Sequence, residues 1–401
     1  MLAMSPTKAM RARSLILDTI RQRGQTSQSE LVDLTDLTGA TVSTNVRALM
    51  DEGFVEEVGR AASTGGKPRR MLRLARNARY AIGVHLDHSV TRLVLANLAG
   101  DVVATATAEG MGSVKVDTLI GRVGSLVASM IDQSGIPRQL VLGMGVCRPG
   151  PMLRDPDVVL LPAHLEQWAH VRLAEILQQV TGLPVIVDND AAACAFGEYW
   201  INPMSSQSLA TLYMGSGLGG AAIINGIPFR GVSGNSIEVG HICVDVDGPR
   251  CWCGNVGCIG EVAGPGAVVQ RAQAEGLLDE DPAASTLDQY RRLADLAHAG
   301  DHHALALFAD SARYIALAAH VLATMLDPEH IALTGAGFAV AGDLYLPAIT
   351  EILNTAYVAR GSHTIDVWVS RHADDAAATG AALLIFQSAL LFDQLADTGR
   401  G

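Results

Sequence analysis

The sequence predicts an α/β protein in two parts, a small winged helix-turn-helix head over residues 1–76 and a two-lobed α/β body over residues 77–401. Three observations carry that reading. Positive charge collects in the head; strand-like alternation gives way repeatedly to helical spacing through the body; and glycine-bearing turns recur where the strands end.

At 401 residues, 49% apolar and 17% charged, the chain is globular and long enough for two or three domains. No apolar run reaches the roughly 18–20 residues that span a bilayer. The basic opening, "MLAMSPTKAMRARSLILDTIRQRG", has no apolar block followed by a small-residue cleavage site, and reads as a helix. The expectation is a cytoplasmic protein with no membrane partner and reduced thiols, where clustered cysteines point to metal more often than to disulfides.

The net charge of −12 is unevenly spread. Residues 1–76 hold 12 Lys+Arg against 8 Asp+Glu, a surplus of four positive charges, which leaves −16 for the rest. A basic head on an acidic body suggests that the head meets a polyanion.

Within the head, Leu15, Ile16 and Ile20 fall at helical spacing before Gly24, and Ser27 with Glu30 sets a capping box for a second helix. A third helix carries Val42, Val46, Leu49 and Met50 as its inward stripe and ends at Gly53. Its outward residues, Thr41, Ser43, Thr44, Asn45 and Arg47, are types that reach base edges and phosphates. "FVEEV" and "MLRLA" alternate as two strands around a glycine-rich loop with Arg60, Lys67, Arg69 and Arg70. This layout reads as a recognition helix and basic wing on double-stranded DNA, with Lys67, Arg69 and Arg70 as wing contacts. The competing reading is a three-helix protein-interaction domain with a solvated basic loop.

In the body, "YAIGVHLDHSVTRLVLANLAGDVV" reads as a hairpin broken at His85–Ser89, with Ala99-Gly100-Asp101 turning into a third strand. An amphipathic helix over "TLIGRVGSLVASMIDQSG" follows, then a buried strand, "LVLGMGVCRPGPM", running into a Pro-Gly turn. "PVIVDNDAAACAFGEYW" reads as strand, acidic turn and helix, and "LATLYMGSGLGGAAIINGIPFRG" as two strands around a glycine turn. "HIALTGAGFAV" adds a strand and glycine turn before a long Ala/Leu helix. Glycine turns this numerous, with Asn189-Asp190 at a fourth strand end, predict one nucleotide- or sugar-sized cleft between two lobes.

His241, Cys251, Cys253 and Cys258 offer one imidazole and three thiolates, a closed tetrahedral set that suits a structural Zn2+. Gly254 and Gly257 would let the sulfurs face one point. Cys147, Cys194 and Cys243 sit alone in apolar stretches and are expected to be small core residues.

The body resembles the ROK family (repressors, open reading frames and sugar kinases), whose fold is the two-lobed actin-like ATPase architecture. "IEVGHICVDVDGPRCWCGNVGC" carries the strongest likeness, with "VDNDAAACAFGE", "MGSGLGGAAIINGIPFRG" and "LDPEHIALTGAG" beside it, over about residues 80–385. The resemblance implies that Asn189, Asp190, Glu238 and His241 hold a sugar, and that the head makes the chain one of the family's repressors. The family's glutamate after the last cysteine is Gly260 here, followed by Glu261, so either Glu261 takes its place or the pocket reads another ligand. The family's kinases carry Asp-x-Gly-Gly-Thr after the first strand, whereas this chain reads His85-Leu86-Asp87-His88-Ser89. Both phosphate-cradling glycines are missing, and Asp87 would repel phosphate. Asp190 is then a vestigial base and the chain no enzyme.

The resulting expectation is a DNA-binding regulator of sugar metabolism, in first reading a repressor, with a palindromic operator, a sugar or sugar-derivative effector and a homodimeric or homotetrameric assembly. The alternatives are an ATP-dependent sugar kinase that also binds DNA, and a regulator that senses a protein partner.

Overall fold

The computed structural model describes residues 8–60, 69–112, 114–152, 163–204, 208–235, 237–281, 284–372 and 374–391. The head comprises α1 (Lys8–Arg23), β1 (Thr26–Ser27), α2 (Gln28–Thr35), α3 (Gly39–Asp51), β2 (Val55–Arg60) and β3 (Arg70–Leu74). Its strands form an antiparallel sheet in the order β1-β3-β2, one short strand more than the sequence predicts. The Ser27–Glu30 capping box is present in full. Val42, Val46 and Leu49 are buried as expected, but Met50 is 37% exposed because it falls beyond the α3 face that α1 and α2 cover.

The first lobe contains β4 (Tyr80–Leu86), β5 (Val90–Asn97), β6 (Val102–Glu109), α4 (Val116–Ser134), β7 (Val141–Arg148), α5 (Leu173–Thr181), β8 (Val185–Asn189) and α6 (Asp190–Ile201). The second contains β9 (Leu209–Met214), β10 (Leu218–Ile224), β11 (Ile227–Pro228), α7 (Ile259–Ala263), α8 (Pro265–Ala274), α9 (Thr286–His298), α10 (His302–Leu326), β12 (His330–Thr334), α11 (Ala336–Thr355) and β13 (Asp366–Val369). The last helix, α12 (Ala376–Leu391), returns to the first lobe.

The two sheets repeat one plan. The first runs β6-β5-β4-β7-β8 and the second β11-β10-β9-β12-β13, each with two antiparallel pairs followed by two parallel ones. Parallel strands present their C-terminal ends on one side of each sheet, and there the two lobes face each other.

α12 lies against β4, β7 and α6 so closely that a Cβ at Gly83 would sit 1.8 Å from the Ala378 carbonyl oxygen. Glycine at 83 is therefore a packing requirement. α10 and α11 are long and apolar enough to cross a bilayer by length and composition. Both, however, bury a stripe in the second-lobe core, Leu307, Phe308 and Ile315 on one and Phe338, Tyr345 and Ile349 on the other.

The head docks on this framework. Ile16, Leu17 and Ile20 of α1 share one apolar cluster with Phe196, Tyr199, Trp200 and α12. Arg21 donates to the backbone carbonyls of Tyr199, at 3.0 Å, and Trp200, and pairs with Asp18, which accepts from the Tyr199 hydroxyl.

Candidate functional site: an interlobe cavity beside a cysteine knuckle

A cavity of about 640 Å³ opens between the lobes. The turn after β7 and the start of α6 form one wall, and the β9–β10 turn and the 238–261 segment the other. Asn189, Asp190, Glu238, His241 and Glu261 all line it, so the structure brings together every residue that the resemblance assigned to a sugar. The Thr334–Gly335 turn instead borders a small adjoining recess with His85, Asp87 and Tyr213.

Asn189 is the N-cap of α6, its side-chain oxygen accepting from the Ala192 N–H at 3.1 Å. That cap fixes Asp190 at the helix start, where one carboxylate oxygen accepts from the Ala191 N–H at 2.8 Å. Its other oxygen stands 3.8 Å from His85 Nε2, which is buried with no hydrogen-bond partner among the described residues. Burial lowers the pKa of the neighbouring Arg148 guanidinium while the Asp190 charge works to raise it. Glu238 is exposed at the cavity wall, yet its carboxyl is raised, by desolvation among the surrounding cavity atoms first and by the Asp190 charge second.

The Asp87 side chain occupies the turn between β4 and β5. One oxygen accepts from the Ser89 N–H at 3.0 Å and the other from the Ser216 hydroxyl of the β9–β10 turn at 3.5 Å. The Ser89 backbone donor of this turn is thus satisfied by a carboxylate.

The His241 and cysteine donor atoms all lie within 4.8 Å of one another. His241 Nδ1 is 3.5 Å from Cys251 Sγ, and Cys253 Sγ is 3.8 Å from Cys258 Sγ. Metal–sulfur bonds of about 2.3 Å at tetrahedral angles require sulfurs ~3.8 Å apart, and a nitrogen at about 2.05 Å requires ~3.5 Å to sulfur. Two of the donor separations thus match a tetrahedral ion, and the set as a whole is close enough to hold one. Its glycines are obligatory. Gly254 has φ +93°, and a Cβ at Gly257 would fall 1.6 Å from the Asp245 carbonyl oxygen.

Desolvation lowers the His241 pKa against the pull of Glu261, favouring the neutral ring that a metal needs. Burial pushes the Cys251 thiol up to about 12 and raises Cys258. At Cys253 burial also works upward, but hydrogen bonds from the Asn255 N–H and the neighbouring sulfurs outweigh it and lower the thiol. With Nδ1 turned to sulfur, His241 Nε2 is the ring's remaining polar atom on a residue that lines the cavity. Glu261 reaches toward the same cluster, Oε1 lying 3.6 Å from Cys251 Sγ.

Cys147 and Cys194 are buried core thiols, as expected. Cys243 is not. It is exposed, because its strand-like pairing with Cys258 places it on the outside of the knuckle.

On the DNA side, Thr44 and Arg47 are exposed on α3, and Ser43 is partly so. Asn45 donates back to the Thr41 carbonyl at 2.9 Å, and the Thr41 hydroxyl bonds to that of Thr38 at 2.9 Å. In the wing, Arg69 pairs with Glu30 at 3.8 Å and Arg70 with Glu57 at 3.2 Å. Lys67 lies outside the described residues.

Sequence reasoning missed Arg230, which lines the cavity and makes a two-point ion pair with buried Asp188 of the opposite lobe. An arginine inside the apolar run "GIPFRG" was the available signal. It also passed over Trp252, which lines the cavity between two knuckle cysteines.

Residues 81–388 match the model of the ROK family, and residues 12–56 a winged helix-turn-helix DNA-binding model. The chain belongs to the ROK family. Among the relatives of this ROK protein, the xylose repressor of Caldicellulosiruptor bescii is 28% identical over 388 residues, covering 95% of this chain and 97% of the repressor. A solved ROK family transcriptional regulator, a homologue of the E. coli MLC protein, superposes with a TM-score of 0.72 at 21% identity over 96% of this chain and 98% of that one. That likeness shows that the fold, head included, is shared. The ROK glucokinase of Streptomyces griseus, solved with glucose and AMPPNP, has a TM-score of 0.65 at 27% identity and covers 77% of this chain and 99% of its own. The kinase match leaves part of this chain uncovered.

Proposed function

We propose that this ROK protein is a sugar-responsive transcriptional regulator, in its simplest form a repressor. Residues 1–76 would engage a palindromic DNA operator as part of a homodimer or homotetramer, and residues 77–401 would sense a sugar effector. The observation that carries the reading is the joining of two sites through one helix. α6 begins at Asn189-Asp190 in the cavity and ends where Arg21 of the head grips the Tyr199 and Trp200 carbonyls. Full-length similarity to a xylose repressor supports it.

In this reading Asn189, Asp190, Glu238 and His241 bind hydroxyls, since amides and carboxylates each engage two. Glu261 stands beside the metal cluster and takes the part left vacant at Gly260. Zn2+ at His241, Cys251, Cys253 and Cys258 would be structural, because four protein ligands leave no open position. It would hold the His241 ring with Nε2 available to the sugar. Thr41, Ser43, Thr44, Asn45 and Arg47 would face DNA, with Thr44 and Arg47 the most accessible, and the wing arginines would exchange Glu30 and Glu57 for phosphates.

The runner-up, a sugar kinase, is favoured by the glucokinase likeness and by Asp190 at the cavity wall. Asp87 between the two turns opposes it.

Thermal unfolding of the zinc-loaded protein against sugars, amino sugars and their phosphates tests the proposal. Binding to the folded state raises the melting temperature, by about 2.7 kcal/mol of stabilisation at a hundredfold excess over Kd. A rise with a neutral sugar that Asp190→Asn abolishes is expected. Silence across the panel would remove the effector reading.

A further inference from the structure

Trp252 stands between two knuckle cysteines, 42% exposed, and lines the interlobe cavity. Its ring is held edge-on to His241, with centroids 5.1 Å apart, and its backbone is fixed on both sides by metal-ligand residues. A half-exposed indole on the wall of a polar cavity offers a flat apolar platform with a polar tip. A pyranose has an apolar face of C–H groups that fits an aromatic ring, while its hydroxyls bond at the rim.

The size and charge of the cavity narrow the occupant. About 640 Å³ lies well inside the roughly 300–1,000 Å³ range of pockets for drug-sized ligands, larger than one hexose ring needs. Gly219, Gly260 and Gly266 line it without side chains to fill the remainder. Asp190 and Glu238 make it acidic, and the Arg230 charge is already committed to Asp188. Anionic groups are therefore disfavoured there.

Building on the sugar-effector reading, we infer that Trp252 is a specificity residue that stacks on the second ring of a neutral disaccharide. The first ring takes the polar set of Asn189, Asp190, Glu238 and His241, and the second extends along the knuckle over the indole.

Calorimetric titration of the zinc-loaded full-length protein with D-xylose, D-glucose, xylobiose, cellobiose and glucose 6-phosphate tests this, in wild type and Trp252→Ala. A disaccharide is expected to bind at least tenfold more tightly than its monosaccharide, with glucose 6-phosphate weakest. Trp252→Ala should bring the two neutral forms within about twofold, chiefly by weakening the disaccharide, and Trp252→Phe should restore part of the preference. Wild-type fluorescence should shift with the disaccharide. A monosaccharide binding as tightly as its disaccharide, or an unchanged preference in Trp252→Ala, overturns the inference and leaves the sugar-effector reading standing. No binding by any of these sugars also overturns the inference, and the wider unfolding panel then decides the sugar-effector reading separately.

Discussion

Arg21 of the first helix donates to the carbonyl of Trp200, at the opposite end of α6 from Asp190. The guanidinium also stacks over the Tyr199 and Trp200 rings, at 4.9 and 5.1 Å, and its charge suits the negative end of the helix dipole. An α-helix is stiff along its axis, so a shift imposed at Asn189 and Asp190 arrives at this junction largely undiminished.

Replacing Arg21 by alanine should therefore have two effects. Arg21 and Asp18 are only 6% and 12% exposed, and removing one member of a buried pair costs about 3 kcal/mol. Denaturant unfolding should show a loss of that order. Sugar affinity, read by calorimetry, should stay near wild type, while DNA affinity should respond less to sugar. Unchanged stability would place the junction outside the folded core.

The knuckle gives a sharper structural prediction. Gly257→Ala meets the Asp245 carbonyl and a positive φ together, and should cost at least about 2 kcal/mol and release the metal. Cys251→Ser should likewise lose metal and sugar response together, because metal binding is coupled to local folding. Zinc content by atomic absorption beside thermal unfolding checks both. A metal-free Cys251→Ser protein with full sugar response would remove the structural role.

Glu238 sets a pH dependence. Its carboxyl is raised in the folded state by desolvation and by Asp190, so the folded protein holds that proton more tightly than the unfolded chain does. The ionised form carries a penalty that is full above the folded pKa and relieved as pH falls toward the ordinary glutamate value. Glu238→Gln should thus melt higher than wild type at neutral pH, with the gap closing in acid, and should lose sugar affinity. A variant less stable than wild type at neutral pH contradicts this account.

In the wing, Arg70 and Glu57 should act in opposite directions on DNA. Arg70→Ala should weaken binding across all sequences and flatten its log–log salt slope by about one. Glu57→Gln should tighten binding by releasing the arginine from its partner. Thr44→Ala should change sequence preference with the salt slope preserved. Anisotropy titrations over a salt series separate the two kinds of contact.

Much of the site was legible because it is local. His241 through Cys258 folds on itself, and its glycines declare the turn before any tertiary contact is known. Asn189-Asp190 was legible for the same reason, as an acidic turn at a strand end, which the structure shows to be the N-cap of α6. What escaped depends on distant partners. Arg230 and Asp188 are 42 residues apart, and only the apposition of two lobes joins them. Met50 fits the helical stripe of α3, yet it is left exposed while Val42, Val46 and Leu49 are buried. The matching order of the two sheets also escaped, since it lies in strand connectivity and not in repeated residues.

The most direct measurement is the affinity of the full-length zinc-loaded protein for a duplex selected from a random library, with and without the sugar that raises its melting temperature. ADP formation from ATP is followed in parallel. This account predicts that the sugar changes DNA affinity at least tenfold, that Asp190→Asn abolishes the change, and that no sugar-dependent ADP appears. Sugar-dependent ADP formation that vanishes in Asp190→Asn, with DNA affinity indifferent to sugar, would contradict it.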